Sequence, residues 1–272
     1  MTDWCILINT TPRYLSLAEV QITCLRRYAP QLVTVPIFLA TELALNHPIV
    51  KRILLLPNVQ YVSLNLNESD FLESRIAAME YLSFFKFILP LQEDFWTDRC
   101  PDLLKLNVAL DILRSDELIQ SVRLMPCPGP SRYDSAYSAQ PEFKIIGPQD
   151  AYRFTFQATL WRPEIYVAFL KTIKNRGLAE YTKLDVDKRP SWSSYCVRKN
   201  LAENLEGQQV FMNLFMSIKS IHLSIDRPLA HPNAVLLAPW PYRPTAVVQG
   251  LLEPWAKEFA QREGFKTLDS WY

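Results

Sequence analysis

Phe84-Phe-Lys-Phe-Ile-Leu-Pro-Leu91 runs without a break into Gln92-Glu93-Asp94-Phe95-Trp96, and the junction of that apolar run with two adjacent carboxylates decides how the chain is read. A short continuous apolar run marks a strand buried on both faces, and such strands belong to parallel sheets covered by helices. Ligands of open α/β sheets sit just beyond the carboxyl ends of those strands. Glu93 and Asp94 occupy that position. Paired carboxylates there can hold a divalent cation against a diphosphate and so neutralise a leaving group. The bland alternative is that the pair opens a solvated loop, but Phe95 and Trp96 behind it favour protein rather than water around the acids.

Working outward, Cys5 to Ile8 is a second apolar run and predicts a first strand. Ser16 to Glu19 has the spacing of a capping box, and Leu17, Val20, Cys24, Leu25 and Tyr28 recur at helical intervals up to Pro30. Strands are predicted over 35–40 and 61–64, then a helix capped by Ser69 with Phe71, Leu72, Ile76 and Met79 inside it. Beyond the acidic pair, Pro101 suits the first turn of a helix carrying Leu103, Leu106, Leu110 and Leu113. Strands are predicted over 121–124 and 153–161. Helices are predicted from Pro163 (Ile165, Phe169, Ile173), from about Ser194 (Val197, Leu201, Leu205), and over 245–262 with a kink at Pro254. Strand and helix alternate, which predicts an α/β fold with a mainly parallel central sheet flanked by helices. The stretch 126–150 holds five prolines and two glycines together with Arg132, Tyr133 and Tyr137; it reads as a loop, either a lid or an insertion.

Composition removes several function classes. With 49% hydrophobic and 21% charged residues over 272 positions, the chain can bury a large core as one globular domain. Twenty-nine Lys+Arg against 28 Asp+Glu leaves a net charge of +1 without a basic run, so nucleic acid is not an expected partner. There are 6 glycines and the first is Gly129, which excludes an early glycine-rich cradle of the Rossmann, P-loop or SAM type. No G-x-S-x-G elbow is present. Five cysteines without a C-x-x-C pair read as reduced, mostly buried thiols; His47, His222 and His231 lack zinc spacing, and His47 and His231, each beside a proline, read as loop residues. No apolar run approaches the roughly 20 residues that span a bilayer, so a cytoplasmic protein without a transmembrane segment is expected.

Other residues compete for chemistry. Asp185-Val186-Asp187 has D-x-D spacing, but its charged surroundings make a solvated turn the expected state. Glu203 has Lys199 one helical turn before it, an ordinary surface pairing. Glu206 has Ala202 and Val210 at the corresponding positions and precedes Gly207; it is either an exposed glutamate or a general base projecting from a helix end. Arg123 closes the strand Ser121 to Leu124, as an anion clamp or as a structural partner of the acidic pair. Gln157 is a polar residue within an apolar strand, facing ligand hydroxyls or satisfying buried backbone.

Phe87-Ile-Leu-Pro-Leu-Gln-Glu-Asp-Phe-Trp96, Ser121-Val-Arg-Leu124 and Phe154-Thr-Phe-Gln-Ala-Thr-Leu-Trp161, in this order, resemble a family of bacterial and viral glycosyltransferases of the GT-A fold. The resemblance runs from about residue 4 to 215. It implies a nucleotide-sugar donor, a glycan or glycolipid acceptor, a divalent cation (Mn2+ or Mg2+) on Glu93 and Asp94, and inverting transfer in polysaccharide biosynthesis. It also implies nucleoside contacts from Thr10, Thr11 and Tyr14, further donor contacts from Arg123 and Gln157, and the catalytic base at Glu206, within Ala202-Glu-Asn-Leu-Glu206. The organisation implied is one domain over 1–272, with a nucleotide-binding half at 1–125, the loop or lid at 126–150 and an acceptor-side half at 151–272. This sequence has Glu93-Asp94 where the broader fold has D-x-D. The expected place is the cytoplasm, free or peripheral to a membrane that bears the acceptor; a nucleotidyltransferase, or a catalytically inactive glycan-binding or scaffolding relative, are the alternatives.

Overall fold

The computed structural model describes residues 2–64, 71–124, 135–146, 156–192, 195, 221–225, 240, 245–248 and 250–265. Strand β1 (Trp4–Asn9) is buried at every position, and its side chains alternate between two cores. Trp4, Ile6 and Ile8 join one apolar cluster, and Cys5 and Leu7 join another. That is the signature expected of a strand covered on both faces. Around it stand α1 (Leu15–Tyr28), β2 (Ile37–Thr41), α2 (Pro48–Leu54), β3 (Val59–Ser63), α3 (Phe71–Tyr81), β4 (Phe87–Leu91), α4 (Leu103–Ser115) and β5 (Ile119–Arg123). The second half adds β6 (Ala136–Tyr137), β7 (Gln140–Ile146), β8 (Thr159–Trp161), α5 (Pro163–Tyr181) and β9 (Ile221–Ile225). A small hairpin, β10 (Val247–Val248) and β11 (Leu251–Leu252), leads into α6 (Pro254–Arg262).

Nine strands form one sheet in the order β3-β2-β1-β4-β8-β5-β9-β7-β6. The first four neighbours pair in parallel. β8 is antiparallel to both β4 and β5, so those two point the same way. β9 runs parallel to β5, and β7 and β6 close the edge in antiparallel pairing. Helices α1, α2 and α4 cover one face and α3 and α5 the other. The result is a mixed α/β fold with a mainly parallel central sheet flanked by helices, as the sequence predicts. A third cluster packs the outer side of α1 (Leu17, Val20, Cys24) against Trp96 and α6, which explains why α1 is apolar on more than one stripe. No helix among the described residues is long and apolar enough to cross a membrane.

Several local expectations need correction. Ser16 lies inside α1, whose N-cap is Tyr14 without a side-chain bond; the preceding 3₁₀ turn at Pro12–Tyr14 starts the helix instead. α4 is capped by Asp102, which accepts from the Lys105 N–H at 3.1 Å, so Pro101 precedes the helix rather than opening it. His47 is the N-cap of α2, accepting at Nδ1 from the Ile49 N–H, and α2 is a helix that the sequence reading left out. Cys5 and Cys24 are buried as expected, but Cys100 is exposed. Residues 245–262 are a hairpin followed by a helix that begins at Pro254, not one kinked helix. Within 126–150, residues 136–146 are a hairpin of the central sheet. β8 is shorter than the strand expected over 153–161.

Candidate functional site

The sheet order reverses between β1 and β4: β1 leads to β2 on one side, and β4 leads toward β5 on the other. At such a switch the loops leaving the two strands part, and a crevice opens at their carboxyl ends. Proline adds to the opening. Pro90 has no N–H to offer a neighbouring strand, and the β4–β8 pairing goes no further than Ile88↔Trp161. A small open cleft lies there, lined by Leu7, Asn9, Arg75, Gln92, Phe156 and Tyr166.

Glu93 and Asp94 follow β4 into this crevice. They are half-buried as whole residues, yet Oε2 of Glu93 is shut off from solvent and has no hydrogen-bond partner. Burial raises the Glu93 carboxyl above its ordinary range, the Asp94 charge adds to that, and Arg75 opposes it. Asp94 is also raised, again chiefly by burial, against the hydrogen bond from Thr245 and the Arg75 charge. The loop is held from below. Trp96 is buried, donates through Nε1 to the Glu93 carbonyl at 3.0 Å, and stacks on Phe259 with ring centroids 5.6 Å apart. The Gln21 amide on α1 accepts from the Thr97 N–H at 2.8 Å.

Among the described residues, the carboxylate and amide oxygens that are closed to solvent and lack a hydrogen-bond partner belong to three residues: Asn9, Glu42 and Glu93. Asn9 ends β1, Glu42 follows β2 and Glu93 follows β4, and these strands are neighbours. Buried acceptors are ordinarily paired, so a row of unpaired ones at a single sheet edge marks a candidate site for a ligand. Arg75 of α3 faces the same group. Its Nη2 donates to Gln92 Oε1 at 3.1 Å, its Cζ lies 5.7 Å from the Phe156 ring centroid, and it feels the charges of Glu93, Asp94 and Glu42. Glu42, Glu93 and Asp94 thus share this edge with the guanidinium of Arg75, and Arg123 is buried at the end of β5 on the same edge.

Carboxylate oxygens suit a hard divalent ion. No group of three or more His, Cys, Asp or Glu side chains among the described residues could hold one. The chain therefore offers the pair Glu93 and Asp94, with phosphate oxygens of a ligand and water to complete the shell, which is the usual way Mg2+ is bound.

The structure brings most of the sequence candidates to this edge. Thr10 is buried directly after β1, with its N–H on the Ala40 carbonyl at 3.0 Å. Thr11 accepts from the Tyr14 N–H, and Tyr14 packs on the Trp96 cluster. Arg123 is buried at the carboxyl end of β5, opposite Thr159. Gln157 precedes β8 at the same edge instead of lying within a strand. Glu206 and Glu203 lie outside the described residues. Asp185 and Asp187 are exposed in the turn the sequence predicts, where Asp185 accepts from the Asp187 N–H. Glu42, Arg75 and Thr245 were missed. The signals were an acid directly after the apolar run 37–41, and a cation between Leu72 and Ile76 on a buried helix face.

No protein-family model matches the chain, and no curated protein does. Solved structures that it resembles include TarS of S. aureus in complex with UDP (TM-score 0.46, 12% identity, 84% of this chain and 59% of that one). Mouse xyloside xylosyltransferase 1 is another (TM-score 0.42, 12% identity, 87% and 93%). A third is glucosyl-3-phosphoglycerate synthase of Mycobacterium tuberculosis in complex with Mn2+, UDP and phosphoglyceric acid (TM-score 0.38, 11% identity, 64% and 64%). The alignment covers between 36% and 59% of the TarS chains. At these values the likeness assigns neither a family nor an activity.

Proposed function

We propose that the chain is a glycosyltransferase that moves a sugar from a nucleoside diphosphate to a glycan hydroxyl, with a divalent cation and with inversion. The observation that carries this reading is the row of unpartnered acceptors on Asn9, Glu42 and Glu93 at the switch point. The reaction class comes from the three sequence blocks described above, whose described residues lie on the adjacent strands β4, β8 and β5.

In this reading Glu93 and Asp94 would hold the cation, whose charge would neutralise the leaving diphosphate. Arg75 adds a fixed positive charge beside the phosphates, and its planar fork suits phosphate oxygens. Thr10, Thr11 and Tyr14 border the nucleoside at the end of β1. Arg123 and Gln157 lie across β4 from them, toward the sugar. Glu206 takes the proton from the acceptor hydroxyl as its oxygen bonds to the anomeric carbon, and the diphosphate leaves from the opposite face with the bonding electrons. The acceptor is a glycan or glycolipid, met in the cytoplasm or at a membrane surface.

The test is a thermal-shift screen of UDP, GDP, dTDP and CMP, each with and without Mn2+. A ligand at about 100 times its dissociation constant adds roughly 2.7 kcal/mol of stability. One nucleoside diphosphate should stabilise the protein, and more so with Mn2+. No shift with any of the four would overturn the proposal, and pyrophosphate among the products of turnover would make the chain a nucleotidyltransferase. Transfer should survive Glu203→Gln and fall steeply in Glu206→Gln, with donor affinity retained.

A further inference from the structure

The segment that leads into α6 reaches back to Asp94 at two points. The Thr245 hydroxyl donates to Asp94 Oδ2. The Ala246 N–H donates to the Asp94 carbonyl at 2.7 Å. Thr245 is itself fixed: its Oγ1 lies 2.9 Å from the Val247 carbonyl and 3.3 Å from the Val247 N–H. Ala246 is buried and accepts from the Glu253 N–H at 2.8 Å, where α6 begins. α6 in turn presents Trp255 and Phe259 to Trp96, whose indole holds the Glu93 carbonyl. One C-terminal unit, 151 residues from Asp94 in sequence, thus grips Asp94 by both its side chain and its main chain and packs on the indole that holds Glu93.

We infer that Thr245 is a positioning residue: its hydroxyl fixes the rotamer of Asp94, so that a divalent cation and a nucleoside diphosphate meet a carboxylate already in place. This rests on the proposed function, because it gives Thr245 a part in the same site. The physical reason is general. A carboxylate held by a second partner loses no rotamer freedom when it takes up a cation, and removing such partners typically weakens metal binding by about 10–100-fold. A purely structural hydrogen bond would be felt in the melting temperature alone. A positioning bond is felt where the cation enters.

The experiment titrates UDP into the full chain with and without Mn2+, by calorimetry, for the wild type, Thr245→Val and Thr245→Ser. Valine keeps the shape and removes the hydroxyl; serine keeps the hydroxyl. The expected result is that Thr245→Val binds UDP without Mn2+ as the wild type does and loses about 10-fold or more of the affinity that Mn2+ adds, while Thr245→Ser regains it. If Thr245→Val does not fold, Thr245→Ala is read against Thr245→Ser in the same way. Equal Mn2+-dependent affinity in the valine, or alanine, and serine variants overturns the role of Thr245 and leaves the proposed function standing. A wild type that gains nothing from Mn2+ with UDP, nor with GDP or dTDP titrated in its place, overturns both.

Discussion

The two ends of the central sheet treat buried charge in opposite ways. At the amino ends of the strands, Arg26 is 8% exposed and donates through its terminal nitrogens to the carbonyls of Leu32, Val35 and Asn58 at 2.8–3.0 Å. Arg162, half-buried, donates through Nη2 to the Leu113 carbonyl and through Nε to the Ile119 carbonyl. Asn58 holds a left-handed turn there, with φ 52°, that aims its carbonyl at Arg26. At the carboxyl ends, Asn9, Glu42 and Glu93 keep oxygens shut off from solvent without a partner. Arg26 finds three carbonyl partners within the fold, although its Nε is itself buried without one. Acceptor oxygens left without partners on three neighbouring strands cost stability, which is a usual mark of a binding site.

The contrast breaks most visibly at Arg26. Arg26→Met should leave the Val35 carbonyl without a donor, with the Leu32 and Asn58 carbonyls held only by the Val35 and Ile37 N–H groups, and should cost about 1–3 kcal/mol in urea unfolding, the range for a buried group left unsatisfied. A loss below about 1 kcal/mol would mean that water replaces the guanidinium and that the foot of the sheet is not built on it.

Glu93→Gln should act in the opposite direction. It removes an ion that burial disfavours, so the ligand-free protein should gain about 0.5–2 kcal/mol near pH 8 while Mn2+-dependent nucleotide binding falls. Destabilisation by this variant would show that Glu93 is a structural acid, and the two ends of the sheet would then be alike.

pH sharpens the same contrast. The carboxyls of Glu93 and Asp94 are raised in the folded state, so the folded protein binds more protons than the unfolded chain just above the ordinary carboxylate range. Their contribution to stability is therefore full at low pH and is lost as pH rises through the raised folded values. The Asp3 carboxyl is lowered by its hydrogen bond to Arg114, so its contribution is present above the ordinary aspartate value and is lost as pH falls. Urea midpoints of the ligand-free wild type minus those of Glu93→Gln should thus decrease between about pH 4.5 and neutrality. A flat difference would mean that Glu93 titrates normally. The smallest effect is expected at Asp187→Asn, in the exposed turn, which should alter stability by no more than about 0.5 kcal/mol and leave nucleotide binding unchanged.

How far the sequence could reach follows from the range of the forces involved. β1 and β4 were legible because burial on both faces leaves an unbroken apolar run, and the end of such a run places Glu93 and Asp94 without knowledge of any neighbour. α2 is a seven-residue helix whose start, His47-Pro48, reads equally as a loop. The hairpin of β10 and β11 is built from two-residue strands too short to show a period, so 245–262 passed for helix. Glu42, Arg75 and Thr245 acquire meaning only once strand order and docking of the C-terminal segment are known. The sequence has an acid after β2 and a cation in α3, but nothing in it says that both turn toward β4. Asp94 and Thr245 are joined only by the tertiary fold.

The most direct test of the central claim, that unpartnered acid at the carboxyl end of β4 is held ready for a cation and a nucleoside diphosphate, is calorimetric titration of UDP, with and without Mn2+, into wild type and Asp94→Asn at matched melting temperatures. Asparagine keeps the shape and removes the charge. The account predicts that Mn2+ tightens UDP binding in the wild type and that Asp94→Asn loses that gain while it stays folded. Equal gain from Mn2+ in the two proteins, or none in the wild type, would contradict it.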